Sequence, residues 1–352
     1  REETMQYQFA AKIAETPGAT LLNYGFMDAG FYTAAQITPN VKYYHQTNVP
    51  LQEMLDEQVR YIRDGVCDYV VTRGRQPEDI LKTYDLIAAA ETPEGFWYDE
   101  VYLYRRKGLI GKEKDWVYID WADMDKDGPL CAEQMLYAAC FRVMAEISKQ
   151  LGKDGNVYRQ EYEKLTAAIE KFFWDEEKGA YIDSFTSGKR NVTRHANIFA
   201  ILFDIADKQK QEKILTNVLE NDEIPAITTP YFNFFELDVL CQMGKLTEVL
   251  DKIRSYWGGM LNLGAVTFWE EYDPSVPREE QYDMYGDHFG KSLCHAWAAS
   301  PIYFLAKYFA GLDLVNKDGV TYVLKPQMQY FTDLDCTLPV GSDGTVRLAW
   351  DG

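Results

Sequence analysis

Histidine and closely spaced cysteine are scarce in this chain. It has four histidines and six cysteines among 352 residues, and no two cysteines stand in a Cys-x-x-Cys spacing. Most of the cysteines fall inside apolar helical patterns, where a free thiol packs as a small hydrophobic side chain. We therefore expect no disulfide framework, no metal site and no cofactor.

Positive charge is also in short supply. Lys and Arg total 36 against 55 Asp and Glu, which leaves a net charge of −19. Such a surface repels phosphate backbones and anionic lipids, so neither nucleic acid nor a membrane is expected as a partner. No signal-type segment and no run of about 18 apolar residues is present, and cytoplasmic and periplasmic locations both stay open. Because the chain starts at Arg1 and ends within a pattern at Gly352, we interpret it as part of a longer protein.

Hydrophobic residues are plentiful and recur mostly at helical spacing. They make up 47% of the chain, which is enough to build a large core. Their three- and four-residue intervals predict about ten helices joined mostly as hairpins, and no repeat of fixed period is visible, which favours a closed ring of helix pairs over an open solenoid. The predicted helices cover approximately residues 1–14, 50–72, 78–87, 136–151, 158–172, 192–207, 209–220, 230–243, 246–257 and 291–309.

The pattern changes after Gly311. Apolar and polar residues alternate there, and Gly341–Gly344 has the composition of a turn, which is typical of β-strands. The sequence therefore predicts a mainly α domain over residues 1–311 and the start of a β domain over residues 312–352.

A long segment from Thr92 to Gly128 lacks helical periodicity and is rich in aromatic and acidic residues. A loop of this length in a compact domain commonly carries function. Its alternating acids Asp123, Asp125 and Asp127 resemble part of a calcium-binding loop, but the twelfth position holds Gln134 instead of the required Glu. The segment therefore predicts no calcium site.

A second unusual stretch follows Gly258 and Gly259, which we expect to end the preceding helix. There the adjacent carboxylates of Glu270 and Glu271 stand among aromatic residues. Sugars stack on aromatic rings and bind carboxylates through their hydroxyls, so the composition favours a glycan-processing site. A run containing His295 follows soon after. Taken alone, either run is equally compatible with a buried aromatic beside a solvated acid.

Four segments together resemble the α-L-rhamnosidases, which are inverting glycoside hydrolases built on a six-hairpin (α/α)6 toroid. They are Tyr118–Trp121 (with Ile119 where the family has Gly), Tyr256–Met260, Ala265–Glu270 and Ser292–Trp297. The resemblance extends over roughly Pro50–Gly352. The tail Thr337–Val346 is similar to the family's C-terminal β-sandwich and implies that a truncated part of it is present here.

The resemblance also implies roles for particular residues. Glu270 corresponds to the general base and His295 to a residue of the sugar subsite. The family's general acid follows an Asp-Cys-Pro-x-Arg motif, and Arg1-Glu2-Glu3 resembles the end of that motif, which would make Glu2 or Glu3 the acid. The expected substrate-binding residues are Asp120, Trp121, Trp116, Trp269, His295, Trp97 and Glu271.

These expectations define a glycosidase of bacterial carbohydrate metabolism that hydrolyses terminal α-L-rhamnosides or similar deoxysugar glycosides with inversion. Its partner would be a rhamnose-containing glycan or glycoside. One alternative is a catalytically silent carbohydrate-binding homologue. Another is a different (α/α)6 enzyme such as a sugar epimerase or unsaturated uronyl hydrolase, which the four histidines and the acidic balance support little.

Overall fold

The computed structural model describes residues 4–16, 18–49, 51–74, 76–91, 100–110, 117–314 and 321–351, and helices predominate among them. The α-helices are α1 (Met5–Ile13), α2 (Phe31–Ala35), α3 (Gln52–Arg63), α4 (Ile80–Thr83), α5 (Cys131–Gln150), α6 (Asn156–Phe173), α7 (Arg194–Leu202), α8 (Lys208–Ile214), α9 (Pro230–Gln242), α10 (Leu246–Lys252), α11 (Gly258–Asn262) and α12 (Ser300–Phe304). Turns of π-helix continue α8, α10 and α12 at Leu215–Leu219, Ile253–Trp257 and Leu305–Phe309.

Short strands accompany the helices. They are β1 (Leu21–Tyr24), β2 (Tyr69–Arg73), β3 (Tyr84–Glu91), β4 (Glu100–Arg106), β5 (Trp174–Asp175), β6 (Ala180–Tyr181), β7 (Leu312–Leu314), β8 (Tyr322–Leu324), β9 (Asp333–Val340) and β10 (Gly344–Asp351). The chain divides into two compact units, of which the first comprises Arg1–Ile119 with Asp123–Ile224 and the second Asp120–Ala122 with Pro225–Gly352.

The first unit contains a four-stranded sheet in the order β1-β2-β4-β3. β1 runs parallel to β2, with Leu21 opposite Tyr69, and β4 pairs antiparallel with both β2 and β3. Both faces of the sheet are covered, because Val70 belongs to one buried hydrophobic cluster and Val71 to another. The central strand β2 is therefore almost wholly removed from water.

This sheet overturns the prediction of a helical hairpin over residues 50–87. The first helix ends at Arg63 and β2 follows, while after Pro77 only the short α4 precedes β3. The loop predicted from Thr92 to Gly128 likewise contains β4. A strand buried on both faces is apolar at every position, so its periodicity does not distinguish it from part of a buried helix.

Helical hairpins appear in the first unit from residue 131 onward, as predicted. α5 and α6 are long, are joined by residues 151–155 and pack against each other, and α7 packs on α5. Their amphipathic spacing is what made them predictable, since each helix buries one stripe of side chains.

The second unit contains α9 to α12, and α9 packs against both α10 and α12. Two helix predictions fail here. The helix expected to end at Gly258 continues through α11, and the helix expected from residue 291 begins only at Ser300. The predicted strands at the C-terminus are present: β9 and β10 form an antiparallel hairpin, and β7 pairs with β8.

Of the helices that the structure describes, none combines the length and the apolar character that crossing a bilayer requires.

Candidate active site

Two segments of the second unit lie side by side between α11 and α12. The backbone N–H of Glu270 donates to the carbonyl of Ser292 at 2.9 Å, and the N–H of His295 donates to the carbonyl of Phe268 at 2.7 Å. These backbone bonds align the residues around Glu270 with those around His295. The two sequence motifs are thereby held next to each other without regular secondary structure.

The Glu270 carboxylate is 5% exposed and is held at both oxygens. Its Oε2 accepts the backbone N–H of Ser292 at 3.0 Å, and its Oε1 accepts the hydroxyl of Tyr285 at 2.6 Å. The carbonyl of Glu270 accepts Nε1–H of Trp297 at 3.1 Å. Donors on both oxygens therefore fix the orientation of the Glu270 carboxylate.

The neighbouring carboxylate of Glu271 points to different partners. Its Oε1 accepts the hydroxyl of Thr228 at 3.0 Å, and its Oε2 lies 3.7 Å from Nζ of Lys291, whose side chain is 4% exposed. Burial lowers the pKa of Lys291, and the charge of Glu271 opposes that shift. The negative charge of Glu271 therefore compensates the positive charge of the buried Lys291.

Asp120 and Trp121 belong to the same unit as Glu270. The carboxylate of Asp120 is 3% exposed and accepts the hydroxyl of Thr229 at 2.6 Å. That hydroxyl also caps α9 by accepting the N–H of Phe232 at 3.2 Å. Trp121 contacts Tyr285 edge to face, with ring centroids 5.9 Å apart. Through Tyr285, the predicted Asp120–Trp121 segment reaches the residue bonded to Glu270.

His295 lies in a row of aromatic rings. Its ring centroid is 4.3 Å from that of Trp297, which stacks on Tyr231 at 5.2 Å. Burial raises the pKa of Tyr231, and the charge of Asp120 adds to the shift. Trp269, by contrast, is 3% exposed and contacts Tyr282, which leaves its ring little surface for a ligand.

Several predicted site residues lie outside the described residues: Glu2, Glu3, Trp97 and Trp116. In the first unit, the side chain of Asp125 accepts the N–H of Asp127 at 3.4 Å and the hydroxyl of Ser187. Within the described ranges, no three His, Cys, Asp or Glu side chains are grouped so that they could hold a metal ion.

Tyr285, Thr229 and Lys291 contact the predicted site residues but were not predicted. Tyr285 is followed by Gly286, and a residue before Gly between two motifs is a turn signal that could have marked it. Thr229 and Lys291 carry no such signal. Their contacts arise from tertiary packing alone.

Comparison with protein families places the chain among the glycoside hydrolases with six helical hairpins. The model of the bacterial α-L-rhamnosidase six-hairpin glycosidase domain matches residues 95–309, more than half of the chain. The chain belongs to this family, and the resemblance predicted from its motifs is confirmed. A search of curated proteins finds no significant match.

Solved structures of rhamnosidases resemble the chain as well. The GH78 family rhamnosidase of Bacillus sp. GL1 has a TM-score of 0.61 and 25% identity, covering 70% of this chain and 26% of that one. The Streptomyces avermitilis α-L-rhamnosidase complexed with L-rhamnose has a TM-score of 0.53 and 17% identity, covering 70% and 23%. The Klebsiella oxytoca rhamnosidase with rhamnose bound has a TM-score of 0.49 and 30% identity, covering 57% and 38%. The chain thus spans well under half the length of each.

Proposed function

We propose that the full-length protein hydrolyses terminal α-L-rhamnosides, or glycosides of a closely similar deoxysugar, with inversion at the anomeric carbon. Membership of the rhamnosidase family supports the sugar class. The observation that carries the proposal is the Glu270 carboxylate, which accepts hydrogen bonds from Ser292 and Tyr285 and lies in a unit that also contains Asp120 and His295.

In the proposed reaction, Glu270 takes a proton from a water molecule whose oxygen attacks the anomeric carbon. The bond from that carbon to the leaving oxygen breaks, and Glu2 or Glu3 protonates that oxygen. Inversion requires the acid and base carboxyl groups to lie about 6.5 to 9.5 Å apart, so that water fits between the base and the sugar. The scaffold we propose for Glu270 is an (α/α)6 toroid within the matched range 95–309. Residues 312–352 would begin a C-terminal β-sandwich.

The other residues are assigned to binding. Asp120 and His295 would contact sugar hydroxyls, and Trp121 would offer a stacking surface. Trp97, Trp116 and Glu271 complete the proposed subsite, whereas Trp269, buried against Tyr282, would support it without contacting the sugar. Thr228 and Lys291 bind the Glu271 carboxylate, so its contribution would be to keep the Glu270 segment in place.

The test compares Glu270→Gln with Glu271→Gln in the full-length protein. General base catalysis contributes about 10²- to 10⁴-fold, so Glu270→Gln should lower kcat for an aryl α-L-rhamnoside by that order and leave the affinity for free rhamnose nearly unchanged. Glu271→Gln, its neighbour, should lower kcat far less.

NMR of the first-formed anomer decides between inversion and retention. A wild type that binds rhamnose but releases no product would overturn the proposal in favour of a silent carbohydrate-binding protein. Equal losses in both variants would remove Glu270 from the base role.

A further inference from the structure

A tight turn at residues 284–287 presents Tyr285 to Glu270. Met284 and Asp287 exchange two backbone hydrogen bonds, each 2.9 Å long. The residues between them, Tyr285 and Gly286, have φ values of 57° and 81°. Positive φ at both central positions defines a type I′ turn, for which Asn followed by Gly is the preferred sequence.

Tyrosine is an unusual residue for the first central position. A bulky side chain with positive φ is a steric outlier, and such residues cluster where function requires a particular geometry. Burial does not explain this one, because Tyr285 is 65% exposed. Its polar contact is the hydrogen bond to Oε1 of Glu270 at 2.6 Å, and its ring contacts Trp121.

The Tyr285 hydroxyl is fixed as the donor of this bond. The hydrogen bond to Glu270, with smaller contributions from burial and from the charges of Glu270 and Glu271, raises the pKa of Tyr285 to about 12. The hydroxyl therefore keeps its proton at neutral pH. Since Ser292 donates to the other oxygen at 3.0 Å, the orientation of the carboxylate plane is set from both sides.

We propose that Tyr285 is a positioning residue for the general base: its hydroxyl orients the Glu270 carboxylate and turns the remaining lone pairs of the carboxylate toward the attacking water. This inference rests on the proposed function. Among the described residues, charged or titratable groups near Glu270 include Glu271 and Lys291, which pair with each other, and the charge of Glu270 also acts on Lys291. The ring of His295 contacts Trp297, which donates to the carbonyl of Glu270.

Three variants of the full-length protein test the inference by separating kcat from KM. Tyr285→Phe removes the hydroxyl and keeps the ring. It should lower kcat roughly 10-fold with little change in KM, because the carboxylate loses one of the two donors that orient it toward the attacking water. Tyr285→Asn should lose as much activity without losing thermal stability, because Asn suits the turn.

The matched control is Tyr322→Phe, which removes a hydroxyl that accepts the N–H of Gly341 in the C-terminal strands. It should leave kcat and KM unchanged. If Tyr285→Phe behaves like this control, the inference is wrong. A Tyr285→Asn protein that melts well below wild type would also overturn it, because the tyrosine would then be structural.

A readout independent of activity separates this inference from the proposed function. If wild type hydrolyses no rhamnoside, the proposed function fails, and the coupling can still be measured by NMR of protein labelled with ¹³C at glutamate carboxyls. The Glu270 signal, identified by its loss in Glu270→Gln, should change its chemical shift in Tyr285→Phe, which removes the hydrogen bond, and keep it in Tyr322→Phe. An unchanged chemical shift in Tyr285→Phe would show that Tyr285 does not act on Glu270.

Discussion

Gly258 and Gly259 open α11 and allow a matched pair of substitutions. Gly258 has helical angles, φ −62° and ψ −31°, and neither glycine has positive φ. The two glycines therefore differ in the space that is available for a side chain. A methyl group on Gly258 would meet nothing within 4 Å, whereas one on Gly259 would lie 2.6 Å from Cζ and 2.7 Å from Cε1 of Tyr272.

The expected magnitudes follow from this geometry. Gly258→Ala should stabilise the protein by about 0.5 to 1 kcal/mol, because alanine loses less conformational entropy in a helix. Gly259→Ala has the same helical advantage, but overpacking costs about 1 to 3 kcal/mol. The ring of Tyr272 cannot swing aside freely, since it is 9% exposed and contacts Tyr256 edge to face. We expect Gly259→Ala to be less stable than Gly258→Ala by about 1 to 3 kcal/mol.

Urea denaturation followed by circular dichroism measures both differences, and kcat on an aryl α-L-rhamnoside measures the effect on the site. Tyr272 follows Glu270 by two positions and its N–H donates to the hydroxyl of Tyr256 at 3.2 Å. A displaced Tyr272 should therefore also lower kcat in Gly259→Ala but not in Gly258→Ala. Equal denaturation midpoints for the two variants would refute the reasoning.

Three further substitutions probe the hydrogen-bonded carboxylates. Thr229→Val removes both the cap of α9 and the hydrogen bond to Asp120, so it should lower the free energy of unfolding by about 2 kcal/mol and weaken rhamnose binding. Thr228→Val removes only the hydrogen bond to Glu271 and should lower the free energy of unfolding less. Burial raises the pKa of Asp183, so the stability that this carboxyl contributes is present below its unfolded-state value and is lost as pH rises through its folded-state value. The unfolding free energy of wild type minus that of Asp183→Asn should therefore fall as the pH rises above about 4, the ordinary pKa of an aspartate. A constant difference would show that Asp183 has the same pKa in both states.

The sequence predicted correctly those helices that show a regular spacing of apolar residues. α5 and α6 each bury one stripe of side chains, and the three- and four-residue spacing of their apolar residues indicates this. The spacing of apolar residues does not identify β2, because Val70 and Val71 are both buried, on opposite faces of a sheet. Helix propensity was also misleading at Gly258 and Gly259, because it predicted the end of a helix where α11 begins. The lack of space beside Gly259 explains that glycine better.

The sequence likewise identified some residues of the candidate site and missed others. Glu270 and His295 stand in short motifs, so they were identifiable as candidates from the sequence. The bond between Thr229 and Asp120 joins residues 109 positions apart and follows from the fold alone. Tyr285 was missed because its importance lies in a backbone conformation that tyrosine seldom adopts.

The placement of Asp120–Ala122 within the second unit has a consequence for biosynthesis. The intervening residues Asp123–Ile224 belong to the first unit, and Thr229 emerges from the ribosome 109 residues after Asp120. At about 5 to 20 residues per second, Asp120 therefore waits on the order of 5 to 20 s for Thr229. Ordering this segment then closes a long loop at an entropic cost of roughly 4 kcal/mol. Because of this loop-closure cost, the Asp120–Ala122 segment should be among the last parts of the protein to become protected, which pulse-labelled hydrogen exchange during refolding would detect.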